Sequence, residues 1–120
     1  MMDFELYVKR GGVFAPLSTY PDREGFVRSV RRIVALRAAK GREADDALRV
    51  LCVVAADVAV VEDLGLLVRA LRQYNEIGFC EEMAEVVQDA WDNGAEAVGW
   101  GADPVTLVGI APYDMTGWEI

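Results

Sequence analysis

Arg49 to Leu71 reads RVLCVVAADVAVVEDLGLLVRAL, the most apolar stretch of a strongly acidic chain, and what it forms decides the fold. Spanning a bilayer takes about 20 largely apolar residues in succession. This run is cut by Asp57 and again by Glu62 and Asp63, so it reads as core and not as a membrane span. Leu48, Leu51, Cys52, Ala55 and Ala59 share one helical face, while Val50, Val54, Val58 and Val61 fill another, so the segment is apolar almost all round. The length of the run from Ala44 and its alanines favour a central buried helix over 44–60. Its valines keep open the alternative of a buried strand over Val50 to Ala55 with a turn at Asp57.

Downstream, Leu64, Leu67, Val68 and Leu71 define an amphipathic helix over 62–74. Phe79, Met83, Val86, Val87, Ala90 and Trp91 then recur at helical spacing and predict a helix over 79–93, closed by Asn93-Gly94, with Trp91 in the core. Glu96 to Trp100 and Val105 to Ala111 each read as a short strand, separated by the turn-forming GADP. The final PYDMTGWEI reads as a tail with exposed aromatics.

Upstream, Asp3 to Lys9 alternates, with Phe4, Leu6 and Val8 on one face, which is the period of a half-buried strand. Gly11-Gly12 suits a tight hairpin turn, and Val13 to Leu17 returns as a second strand. Asp22 is a candidate N-cap for a helix over 22–40 that buries Phe26, Val30, Ile33 and Val34 and stops at Gly41. With 120 residues, 53% apolar and 27% charged, the chain fits one folded domain. The expected class is α+β: one small antiparallel sheet, made by the N-terminal hairpin and the C-terminal strands, packed on about four helices.

The residue inventory bears on chemistry. There is no histidine, which removes the commonest general base and the Ser-His and Cys-His nucleophile pairs. Two isolated cysteines make no convincing zinc set, and no phosphate-loop or dinucleotide fingerprint is present, so no metal or cofactor is expected. Cys52 and Cys80 lie in apolar or helical sequence, and Met1 to Lys9 alternates and carries acids, unlike an apolar leader. Two buried thiols in a reduced, cytoplasmic setting are expected. Asp57 is the one acid inside an apolar run; it is the first candidate if carboxylates do acid-base work, and otherwise a cap or turn residue.

Charge is distributed unevenly. Residues 1–56 hold ten basic and seven acidic side chains, and residues 57–120 hold two basic and thirteen acidic, which gives +3 and −11 and a total of −8. Glu82, Glu85, Asp89 and Asp92 fall in one stripe opposite the apolar face of their helix, with no Lys or Arg after Arg72. Such like-charge pairs cost a few tenths of a kcal/mol each (~0.2–0.5). Acids near a helix C-terminus also oppose its dipole. The stripe is either a solvated face partly neutralised by the Arg-rich helix, or a docking surface for a basic site.

Arg28 and Arg32, four residues apart with Arg31 beside them, form a candidate anion contact, although the acidity elsewhere opposes nucleic acid. Trp100 and Trp118 are of a type that anchors interfaces, and they join Glu82, Glu85, Asp89 and Asp92 as candidate partner-binding residues. The expected function is a non-enzymatic acidic module that blocks or modulates a basic surface on another protein, such as a nuclease or nucleic-acid-binding complex. Toxin immunity proteins and anti-CRISPR proteins share this profile as a class. The alternatives are a homo-oligomeric assembly subunit, in which the Arg-rich helix of one copy meets the acidic helix of another, and a small carboxylate-dependent enzyme.

Overall fold

The first chain reversal is made by Gly11 at φ 58° and Gly12 at φ 78°. Positive φ at both central residues is what a two-residue hairpin turn needs to match strand twist. The computed structural model describes residues 4–20, 23–42, 45–56, 59–101 and 107–109. In it, β1 (Phe4–Arg10) and β2 (Val13–Tyr20) pair antiparallel from Arg10↔Val13 to Phe4↔Tyr20. The register slips between Leu6 and Tyr7, which leaves Leu17 as the extra residue of a bulge beside Pro16. β2 lies at the edge of the sheet, where a proline interrupts no ladder on its open side.

The apolar stretch resolves into three elements. Asp45 accepts a hydrogen bond from the Leu48 N–H at 2.8 Å and caps α2 (Asp46–Val54), so Val50 to Val54 are helical. The helix stops well short of residue 60, which corrects the expectation of one helix over 44–60. Ala59–Val61 is a strand, β3, with all three residues buried. The reason lies in pairing: Ala59, Val60 and Val61 bond to a neighbouring strand, and Val60 packs on the opposite sheet face from Ala59 and Val61. A β-branched pair suits that two-sided burial. Arg23 donates from Nη2 to the Ala55 carbonyl at 2.8 Å and satisfies one of the acceptors released where α2 ends. Asp57 lies outside the described residues.

Asp63 then caps α3 (Leu64–Gln73) through the Leu66 N–H at 3.0 Å. The acids that break the apolar run thus include one that starts the next helix. α4 (Cys80–Asp92) follows, and α1 (Arg23–Ala39) precedes α2. Both α1 and α4 end in paired backbone bonds around a left-handed glycine: Arg42 N–H to Arg37 O and Gly41 N–H to Ala38 O, and Ala95 N–H to Ala90 O and Gly94 N–H to Trp91 O. Among the described residues no helix is long and apolar enough to cross a membrane.

β4 (Ala97–Trp100) is buried throughout and runs antiparallel between β1 and β3, giving the order β2-β1-β4-β3. Terminal strands therefore meet in one antiparallel sheet, and the architecture is α+β, as the residue pattern implies. The Glu96 carboxylate accepts from the Gly11 N–H at 2.6 Å, which ties the hairpin turn to the entry of β4. Leu6, Val8, Val98 and Trp100 face the helices and join the main core with Leu48, Leu67 and Met83. On the other face Tyr7, Phe14, Val60, Ala97 and Leu107 form a second, smaller cluster.

Leu107 and Val108 are helical, so they do not form the strand expected over 105–111; the rest of that segment lies outside the described residues. Leu107 instead covers the outer face, with its Cδ1 3.0 Å from where a Cβ on Gly99 would sit.

Candidate functional site

α4 carries its core face on Cys80, Met83, Ala84, Val87 and Ala90. That face is turned from the sequence expectation toward Cys80 and Ala84, with Val86 only partly covered. Trp91, expected in the core, is 46% exposed. It belongs to the last turn, where Val87 and Ala90 already fill the contact, and its ring overhangs the first turn of α3, 3.1 Å from where a Gly65 Cβ would be. The absence of a side chain at Gly65 leaves room for the indole.

Opposite that core face, Glu82, Glu85, Asp89 and Asp92 are all exposed. Among the described residues none of them forms an ion pair; Asp92 accepts a hydrogen bond from Gln88 Nε2 at 3.0 Å. The last turn holds no basic residue. The Arg-rich helix does not neutralise the stripe: Arg37 pairs instead with Asp45 at 3.2 Å and donates to the Tyr74 hydroxyl at 2.9 Å, joining the end of α1 to the start of α2 and the end of α3. Four like charges are thus brought together on one helix face.

Trp100 leaves the expected docking set. It is 2% exposed, because its position on β4 points it into the main core between β1 and β3. Trp118 lies outside the described residues. The exposed aromatic side chain on α4 is Trp91, which periodicity alone assigned to the interior. A glycine at helical distance on the preceding helix was the available sign that a large ring had to be accommodated there.

A second feature lies at the other end of α4. A cavity of about 500 Å3 is lined by Gly25, Phe26, Arg28, Ser29 and Arg32 of α1 and by Gly78 and Phe79 at the entry to α4. Arg28 and Arg32 are exposed and form no ion pair among the described residues, while Arg31, exposed on the same helix, does not line the cavity. Phe79 sits at φ 70°, and its ring lies 5.8 Å from that of Tyr20 at a 41° tilt. Burial pushes the Tyr20 hydroxyl pKa up and the Glu82 carboxylate adds to this, with Ser18 opposing without completing a hydrogen bond.

The thiols are separate and free. Cys80 is fully buried, and burial, with Glu76 and Glu82 adding, pushes it up to about 12. Such a thiol stays protonated and unreactive at neutral pH. Cys52 is only half-buried, and its pKa is also raised by burial. Among the described residues no three Cys, Asp or Glu side chains are grouped to hold a metal ion. No protein-family model, curated protein or solved structure matches the chain.

Proposed function

We propose that the protein is an acidic binding module that docks the outer face of α4 on a basic site of another protein and thereby blocks or modulates it. The observation that carries this reading is the set Glu82, Glu85, Asp89 and Asp92, exposed on one helix face with no ion-pair partner among the described residues. The helix is charged against its own stability, at the C-terminal end of its dipole and at repelling i, i+3 and i, i+4 spacing. A complementary Lys/Arg groove removes both penalties and speeds encounter. Trp91, half-exposed on the same helix, supplies an aromatic edge of the kind that anchors interfaces. A nuclease or a nucleic-acid-binding complex of the cytoplasm is the class of target whose groove has that charge. Binding alone, without catalysis by the module, is sufficient for such inhibition.

The test is capture of partners from the native host with the unmodified chain and with the Glu85→Lys/Asp89→Lys variant. A partner held by the first and lost by the second supports the reading. Equal recovery on both, with the partner's affinity unchanged, defeats it.

A second reading has its own support: among the described residues the guanidiniums of Arg28, Arg31 and Arg32 have no ion-pair partner, like the carboxylates on the outer face of α4. Two copies could satisfy both sets at once, α1 against α4. Light scattering across a salt series decides, because an interface of that kind dissociates as ionic strength rises. A monomer at every salt concentration excludes it.

A further inference from the structure

Three features mark the cavity between α1 and the entry to α4. Arg28 and Arg32 stand one helical turn apart on its wall, exposed and with no carboxylate partner among the described residues of a chain of net charge −8, whereas Arg37 of the same helix has one. Gly78 is not held in the left-handed region, and a Cβ there would meet no atom within 4 Å. Neither backbone conformation nor crowding requires a glycine at this position; its lack of a side chain leaves the wall open. Phe79 is held at φ 70°, the one positive φ outside glycine among the described residues. Strain of this kind costs on the order of 1–3 kcal/mol and concentrates where a side chain must be aimed. Here it accompanies an aromatic ring that packs on Tyr20 and the core and also lines the cavity.

We propose that this cavity binds a small organic oxyanion, a phosphate monoester or carboxylate carrying a planar apolar group. The anion is held by Arg28 and Arg32, and the planar group rests against Phe79. A guanidinium presents paired donors that match either oxyanion, and two guanidiniums one turn apart can share one ligand. The volume of about 500 Å3 lies in the range of small-molecule sites. Glu81 and Glu82, in the first turn of α4, oppose an anion, so both arginines are needed to outweigh them. The proposal is independent of the docking role of α4, because it uses neither Glu85 nor Asp89.

The experiment is a titration of the 15N-labelled full chain with phenyl phosphate, benzoate and inorganic phosphate, read by amide chemical shifts. Saturable shifts at Gly25, Ser29, Gly78 and Phe79 with phenyl phosphate or benzoate are expected, and whichever of the two binds more tightly identifies the oxyanion. Arg28→Gln/Arg32→Gln should weaken binding at least about tenfold. Gly78→Leu should abolish it while the rest of the amide spectrum stays folded. The absence of saturable shifts with both aromatic ligands overturns the proposal, as do shifts unchanged in the double arginine variant. Inorganic phosphate binding as tightly as phenyl phosphate overturns the role given to Phe79.

Discussion

Leu107 seats on Gly99: its Cδ1 and Cδ2 lie 3.0 and 3.3 Å from the position a Cβ on that glycine would take, with the Ala59 carbonyl oxygen 3.2 Å away on the neighbouring strand. The outer face of the sheet is therefore covered in part by a side chain packed tightly over a residue without one. Gly99→Ala is expected to destabilise by about 1–3 kcal/mol, because the leucine can shift but the backbone oxygen is held by strand pairing. Urea unfolding measures it, and Leu107→Ala in the same chain should recover part of the loss. An unchanged midpoint for Gly99→Ala would mean that the contact is loose.

Asp45 has two jobs that substitution can separate. Asp45→Asn keeps an oxygen for the Leu48 N–H and loses the contacts of Oδ2, the half-exposed pair with Arg37 and the hydrogen bond accepted from Gln73 Nε2 at 3.3 Å, so it should cost about 1 kcal/mol or less. Asp45→Ala removes the cap as well and should cost about 1–2 kcal/mol. Thermal melts of the two variants give the difference directly.

The isolated protein should become more stable when its proposed docking face is discharged. Asp89→Lys/Asp92→Lys puts cations into a last helical turn that has none and relieves repulsion along α4. A gain of about 0.5–1 kcal/mol is expected. Partner affinity should fall in the same variant. Loss of stability would show that the carboxylates serve the fold.

Alkaline pH should unfold the protein through its buried groups. An unfolded thiol loses its proton near 9.0, whereas the Cys80 thiol holds it until about 12, so between these values the unfolded chain binds fewer protons and stability falls as pH rises. Tyr20 and Tyr74, both raised above 10.0 chiefly by burial, act in the same direction. Unfolding free energies from pH 7 to 11 should decline, by up to about 1.4 kcal/mol per pH unit for each group titrating only in the unfolded state. Cys80→Ala should flatten the part of the decline between 9 and 10. In the folded state Cys80 should resist thiol reagents at pH 8.

Local chemistry made much of this fold legible. Gly11-Gly12 specifies its turn without help from the rest of the chain, and Gly41 and Gly94 end helices for reasons confined to one turn of backbone. The central apolar stretch is different. Whether Ala59 to Val61 continues a helix or enters a sheet depends on β4, which is formed by residues far along the chain, so periodicity within the stretch could not decide it. The two tryptophans exchanged roles for the same reason: Trp100 is enclosed by flanking strands, and Trp91 is displaced by side chains that already fill the α3–α4 contact. The acidic stripe could be read from spacing, since it needs only one helix. Arg28 and Arg32 could be flagged, but the cavity beside them needs Gly78 and Phe79 from the other half of the molecule.

β4 sits at the centre of the sheet although it comes late in the chain. Leu6 finds Trp100 across nearly the whole described sequence, so the contacts that close the sheet are among the most distant the chain makes. During synthesis the hairpin, β3 and all four helices α1 to α4 emerge with no strand between β1 and β3, and the sheet that covers their shared core stays incomplete until residues 97–100 leave the ribosome. Folding is then a late, concerted event, and a chain truncated before Ala97 is a candidate for aggregation or chaperone retention even though it carries α1 to α4 complete.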